Sequence, residues 1–436
     1  MKSEEPARVA ITPDRVRRDG FRLHYGYVIL VVSTLAITGA LGFGRFAYAL
    51  ILPSMQQGLG LGYGQMGLIA SGNFVGYLVS ALVCGLLATR FGSRIVVSGG
   101  LLVSGVAMAL TGLVPTFETA VIARALTGVG SAGANVAALG MVPHWFAHHR
   151  RGLVSGLLVA GSGIGLVVAG QLVPRIVAAG GDQGWRNSWY ALGLIAIAIA
   201  GGAVLLLRDR PADKGLRPLW EEVAASGPSG SQPVRPPLES GGIWRTGAIW
   251  HLSAVYIAFG FSYIIYATFF AAHLLRFRIT QLEAGDLWGL VGALSIGSGV
   301  LWGSISDRLG RKWALAIVFS LQGSALLLFA LGADRPVFVV STVLYGLAGW
   351  SVPAIVSAAV GDYLEPRLAP AALGLLTLIM AIGQVLGPGV AGAIADATGS
   401  FTPAFVLAAG VAYLGAVGSL TLCRSSPTRR AAASPA

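Results

Sequence analysis

Two arginines stand where an apolar chain tolerates few charges. Arg45 lies in Leu41–Pro53 (LGFGRFAYALILP), and Arg124 lies in a second apolar stretch at 119 to 142. An ionised guanidinium at membrane depth costs a few kcal/mol or more, and it persists where it faces a water-filled cavity or binds something. The planar fork of N–H donors suits a carboxylate or another oxyanion. Tyr48 follows Arg45 within one turn, and a later stretch carries Tyr256, Phe259, Tyr263 and Tyr266, whose phenols could donate hydrogen bonds to a bound anion. Competing roles exist. Arg45 could be satisfied by carbonyls of its Gly-rich helix, and aromatic spacing on a helix often marks packing or lipid contact.

The elements that carry these residues follow from composition. The chain has 436 residues, of which 55% are hydrophobic and 11% charged, with mean hydropathy +0.74. Soluble domains carry about 25% charged residues, so this is an integral membrane protein. Twelve apolar stretches are long enough to cross about 30 Å of hydrocarbon. They fall at about 26 to 53, 64 to 88, 95 to 115, 119 to 142, 152 to 177, 187 to 207, 247 to 274, 286 to 305, 313 to 333, 336 to 360, 371 to 395 and 402 to 423. The predicted fold is all-α, with 62 glycines for close helix contact, as at Gly161, Gly165, Gly383 and Gly387.

The net charge of +12 is explained by sidedness. With the N-terminus cytoplasmic, 23 of the basic residues fall on the inner face and five (Arg175, Arg186, Arg276, Arg278 and Arg335) on the outer. That bias puts both termini in the cytoplasm and removes any need for nucleic acid as a partner. Measured from the predicted outer ends, Arg45 lies about eight residues inside and Arg124 about five. Residues 1–24 and 424–436 are cytoplasmic tails, and 208–246, with SGPSGSQPVRPP, is a flexible linker between an N-terminal half at 25–207 and a C-terminal half at 247–423. The first apolar stretch is too long for a signal peptide and is expected to remain as a helix. Arg15, Arg17 and Arg18 precede it, where anionic lipid would attract them.

The halves repeat. GFGRFAYA at 42–49 aligns with GFSYIIYA at 260–267, GLLATRFGSR at 85–94 with GSISDRLGRK at 303–312, and Gly128 with Gly346, all at an offset of 218 residues. Parallel repeats of this kind place a binding site between the halves near the midplane. Tyr263 is the repeat mate of Arg45, and Thr342 that of Arg124.

GSISDRLGRK matches the GxxxDRxGRK/R signature of the major facilitator superfamily, and GLLATRFGSR resembles its weaker partner. The resemblance implies twelve helices in two pseudo-symmetric six-helix halves, with spans one and four lining the cavity. It also implies a conformational motif at Gly85, Arg90, Gly92 and Arg94 and again at Gly303, Asp307, Arg308, Gly310, Arg311 and Lys312. In that family the loop is thought to brace the outward-facing state, Asp307 being able to meet a helix N-terminus of the other half; Thr89 occupies the usual aspartate position in the first half. Arg124 with Gly128 resembles the fourth-span arginine motif, which implies a role in helix packing and conformational coupling as the rival to substrate binding. GRFAY followed by LP, together with SYIIYATFF, resembles the bacterial YbfB-like subgroup, and HYGYVIL is similar to the start of monocarboxylate and oxalate transporters.

The 18 acids all fall in loops, tails or near span ends, with Glu118, Glu283 and Asp286 nearest the outer edge. No mid-span carboxylate offers the proton relay of cation-exporting drug antiporters, and Leu166 stands where those exporters place a proline. Asp286 is expected to act as a helix-dipole partner, with a coupling role as its rival. His251 and His273 are expected at the membrane interfaces. His144, His148 and His149 form a basic turn rather than a metal site, no phosphate-cradling loop with lysine occurs, and Cys84 and Cys423 make no disulfide framework. No enzyme activity, cofactor or metal is expected.

The sequence therefore predicts a monomeric secondary transporter of the bacterial inner membrane, working by alternating access. Its substrate is expected to be a small organic anion, a carboxylate, held by Arg45, Arg124, Tyr48, Tyr263 and Tyr266. Coupling to protons, carriage of a proton by the substrate, and anion exchange stay open. Export of neutral or amphipathic compounds and a non-transporting sensor are the rival functions.

Overall fold

The computed structural model describes residues 24–220, 247–363 and 368–422, and these are almost entirely helical. Eleven of the described stretches are long and apolar enough to cross a membrane; one of them, His148–Leu206, turns back at Gly181–Gln183, so the chain crosses twelve times. Spans one to six are Tyr25–Leu59, Tyr63–Phe91, Ser93–Leu113, Phe117–Trp145, Arg151–Gly180 and Gly184–Leu206. Spans seven to twelve are Gly247–Leu274, Gln281–Leu309, Arg311–Leu331, Arg335–Asp362, Ala369–Thr398 and Thr402–Leu420.

The repeat is visible in the backbone. Gly92 and Gly310, one repeat apart, end spans two and eight with φ of 89° and 88°, a conformation that a Cβ would strain. Elsewhere the ends are set by side chains: Thr116 caps span four, and Thr280 forms a reciprocal capping box with Glu283 at the start of span eight. The Tyr25 hydroxyl donates to the Leu206 carbonyl at 2.8 Å, and His251 Nε2 lies 2.8 Å from the Gly418 carbonyl. Spans one, six, seven and twelve therefore share one end of the bundle, here the linker end.

Two parts of span one depart from expectation. The helix does not stop near Pro53 but runs through it to Leu59, ended by Gly60 in the left-handed conformation. Within it, Thr38–Phe46 forms a π-helix, with the Ala47 N–H reaching the Gly42 carbonyl five residues back. Gly39, Gly42 and Gly44 lower the cost of leaving α geometry there. Neighbours hold the widened turn: Ser131 Oγ donates to the Ala40 carbonyl at 2.7 Å and Thr38 Oγ1 to the Gly161 carbonyl at 2.8 Å. A Cβ on Gly42 would stand 2.5 Å from the Gly165 Cα, so span five fits against this turn only because both positions are glycine.

The halves meet along spans two and eleven and along spans five and eight. Asp396, at the end of span eleven, accepts from the Tyr63 and Gly64 N–H groups at 2.7 and 2.8 Å, a carboxylate on the positive end of span two. Asp286 accepts from Gln171 Nε2 at 2.9 Å, so it bridges the halves in addition to opening its helix. Gln281 Nε2 donates to the Leu50 carbonyl at 2.6 Å and Ser71 Oγ to the Val385 carbonyl at 2.5 Å. Among the described residues, the side-chain hydrogen bonds joining the halves all lie away from the linker end.

At the linker end each half is tied to itself. Asp307, expected to brace the outward-facing state, here pairs within its own half, with Arg311 at 2.5 Å, whose Nε meets Asp362 at 2.8 Å. In the first half Asp209, not position 89, supplies the carboxylate, accepting the Arg94 N–H at 2.9 Å beside Gly92; Thr89 only caps back to the Leu86 carbonyl. Residues 208–220, expected to begin the linker, instead stay docked on the first half, where Leu219 bridges Phe146 through Leu219 N–H to the Trp145 carbonyl at 2.8 Å. The Pro-rich remainder of the linker, both tails and Cys423 lie outside the described residues. His273 is not interfacial: it is 1% exposed, packed among Phe329, Phe338 and Phe405 and hydrogen-bonded to the Phe329 carbonyl at 2.8 Å.

Candidate functional site

Arg45 is the last polar residue of the π segment. It lies fourteen residues before the end of its span at Leu59, about 20 Å along a helix, and so stands near mid-depth rather than close to one side. That depth corrects the shallower position expected from an end at Pro53. Its guanidinium carbon lies 4.7 Å from the Phe74 ring centre and 4.5 Å from that of Tyr77, both on span two. Cation–π contact of this kind is worth about 2 kcal/mol or more when desolvated. The rings hold the charge but satisfy none of its donors: Nε and Nη2 are buried without a hydrogen-bond partner. Among the described residues no carboxylate pairs with it.

Around Arg45 two phenols are held by amides. Asn135 Nδ2 on span four donates to the Tyr77 hydroxyl at 2.8 Å, and Gln384 Nε2 on span eleven donates to the Tyr263 hydroxyl. Span seven packs against span one here, and the Tyr263 hydroxyl comes within hydrogen-bond reach of the Arg45 guanidinium. Tyr345 Oη in turn donates to the Tyr263 carbonyl at 2.7 Å. A second contact joins the halves at the same level: Phe46, ending the π segment, meets Trp350 edge to face at 5.4 Å, in the break at 349–351 that interrupts span ten. Interrupted helices at the repeat interface are where this architecture builds its ligand sites.

Arg124 serves the other side of the π segment. Its Nη1 donates to the Gly44 carbonyl at 2.7 Å, and the guanidinium lies 5.2 Å from the Tyr48 ring and 4.9 Å from that of Trp189. It is 1% exposed, with Nε unpartnered. Arg124 thereby ties the widened turn to span four through the Gly44 carbonyl. Tyr48 is spoken for as well, donating to the Met66 carbonyl at 2.7 Å. A small cavity joins this pair to Arg45, bounded by Asn73 and Phe74 and, from span seven, by Ile264, Ala267 and Thr268. Thus Arg45 and Tyr263 come together, Arg124 and Tyr48 stand behind them as an enclosed pair, and Tyr266 joins neither. It is stacked on Tyr345 at 3.9 Å between ring centres and bonded to Ser341, inside the second half's aromatic core.

The motif residues form no part of this site. Gly85, Arg90, Gly92 and Arg94, and Gly303, Asp307, Arg308, Gly310, Arg311 and Lys312, all lie toward the linker end of spans two, three, eight and nine. Phe74, Tyr77, Asn135 and Gln384 were missed in the sequence. The signal for the amides was present, since a polar residue inside an apolar span is costly without a partner or a role.

The family model described as the uncharacterised MFS-type transporter YbfB matches residues 37–420. The chain belongs to this family. It is a multi-pass membrane transporter of the major facilitator type and not an enzyme. The YbfB-type chain is 26% identical over 388 residues to a protein of Agrobacterium vitis assigned as a tartrate transporter, covering 86% of this chain and 85% of that one. It is 24% identical over 420 residues to the hexuronate transporter of Bacillus subtilis, covering 90% and 94%. Among solved structures it resembles a bacterial homologue of the human lysosomal transporter Spinster, with TM-score 0.74, 16% identity and coverage of 93% and 98%. That likeness concerns the fold.

Proposed function

We propose that this protein carries a small organic anion, a carboxylate, across the bacterial inner membrane by alternating access, with Arg45 receiving the negative charge. The observation that carries this reading is the mid-depth guanidinium whose Nε and Nη2 have no partner while Phe74 and the amide-held Tyr77 and Tyr263 surround it. An internal salt bridge would have neutralised it; none reaches it among the described residues, which favours an anion that arrives and leaves. The tartrate and hexuronate transporters named above support a carboxylate over a neutral or cationic compound. Tyr263 faces the anion from the second half, while Arg124 and Tyr48 shape the π segment from behind and add positive potential.

With the linker end cytoplasmic, as the distribution of basic residues supports, the Asp396, Gln171–Asp286 and Gln281–Leu50 contacts close the outer side, and among the described residues no side-chain hydrogen bond joins the halves at the inner side. The proton, if one moves, travels on the substrate, or a second anion returns in exchange.

The test is uptake of labelled tartrate and glucuronate into proteoliposomes by the wild type and by Arg45→Gln, with size-exclusion profiles to show that the variant is folded. Uptake is expected only in the wild type. Equal uptake by the variant removes Arg45 from the substrate, and transport of neutral amphipathic compounds alone would favour the rival exporter function.

A further inference from the structure

We infer that the site selects hydroxylated carboxylates over their deoxy counterparts, with Asn135 as the residue that reads the hydroxyl. The inference rests on the anion site proposed above. Asn135 projects from span four, eighteen residues from its start at Phe117, so it lies on the linker side of Arg124. Its Nδ2 is committed to the Tyr77 hydroxyl at 2.8 Å. Its Oδ1 is buried and accepts from nothing. A buried carbonyl oxygen without a donor carries a desolvation cost that folding ordinarily avoids.

The groups beside it, Arg45, Tyr77 and Tyr263, are donors toward a ligand; the other unpartnered amide oxygen, Asn73 Oδ1, belongs to the small cavity that runs toward Arg124. Arg45 offers N–H groups and no acceptor. Tyr77 and Tyr263 each accept a hydrogen bond from an amide, which leaves each phenol free to donate its own proton. A carboxylate answers every one of these groups and leaves Asn135 Oδ1 unanswered. A hydroxyl on the same ligand donates to that oxygen and completes the set. The Tyr77 ring lies against Arg45 and the Tyr77 hydroxyl against Asn135, so the cation and the acceptor are separated by one phenol, a span suited to a short hydroxylated chain. Sites built to bond a substrate hydroxyl discriminate strongly against the analogue lacking it, because their own polar group is left unpaired.

Tartrate and succinate make the test, being four-carbon dicarboxylates that differ only in hydroxyls. Uptake of each is measured in proteoliposomes for the wild type, Asn135→Leu, Asn135→Thr and Arg45→Gln. The wild type is expected to prefer tartrate by about tenfold or more in KM. Asn135→Leu, which also frees the Tyr77 phenol from its amide, should bring the two within about twofold by losing far more of tartrate than of succinate, and Asn135→Thr, which keeps an acceptor oxygen, should recover part of the preference. Equal handling of both acids by the wild type, or an unchanged ratio in a folded Asn135→Leu, overturns the inference while leaving the anion site intact. Transport of neither acid by the wild type overturns both. Loss of both acids in Arg45→Gln, with Asn135→Leu still carrying both acids but without the preference, supports the two roles separately.

Discussion

Spans one and seven occupy equivalent places in the two halves, yet they solve the same position in opposite ways. Span one reads TGALGFGRF, opens into a π-helix and presents a cation; span seven, at the aligned residues, is an unbroken α-helix that presents Tyr263. Both keep a glycine for close contact, Gly42 against Gly165 of span five and Gly260 against the Met380 carbonyl of span eleven. The scaffold is therefore repeated, while the charge is confined to one side. A symmetric pair of guanidiniums would repel across the midplane; one guanidinium facing a phenol offers an anion a positive pole and a neutral wall.

Variants of the two spans test that asymmetry. The largest effect is expected from Arg45→Gln, which should weaken binding by about a hundredfold or more, roughly 2.7 kcal/mol, in a ligand-induced thermal-shift titration. Arg124→Leu should act on the fold instead: with the Gly44 carbonyl left without its donor, stability should fall by about 1–3 kcal/mol, read by thermal unfolding in detergent, and Arg124→Lys should restore part of it. A smaller loss is expected for Tyr263→Phe, about 1 kcal/mol or roughly fivefold in KM, because one neutral donor is removed from a site whose charge remains. Were Tyr263→Phe to exceed Arg45→Gln, the cation would not be the main anchor.

The smallest effect concerns the gate rather than the site. Asp396→Asn weakens a carboxylate on the N-terminus of span two, an interaction worth about 0.3–1 kcal/mol. The outward-open population should rise a few-fold at most. Alkylation of Thr268→Cys from the outer side, in a background with Cys84 and Cys423 replaced by serine, would report it, and an unchanged rate would mean that other contacts hold the outer side closed.

Much of this architecture is written in local patterns. Long apolar runs have to be helices in lipid, because every backbone group must be paired within the span. The 218-residue offset foretold paired breaks at Gly92 and Gly310, and the isolated charge at Arg45 pointed to the site. Other features left no local trace. Span one passes through Pro53 and ends only at Gly60, in the left-handed conformation. In spans that are apolar on all sides, nothing in the residue order says which face turns inward, so Tyr266, one turn from Tyr263, could not be told apart from it. Asp209 could not be matched to Gly92 and Arg94, since it is more than a hundred residues away and belongs to a segment that reads as linker.

Residue types and their order alone decide that the chain spans a membrane twelve times in two halves and that it buries an uncompensated arginine, because hydropathy, repeat offset and charge are properties of the residues themselves. Rotation and depth are not. Packing glycine against glycine between spans one and five opens the π segment, turns Gly44 toward Arg124 and Arg45 toward Phe74 and Tyr77, and brings Asn135, Tyr263 and Gln384 from three other spans around it. A site assembled from five spans exists only once the helices have chosen their contacts, and that choice is made between side chains far apart in the chain.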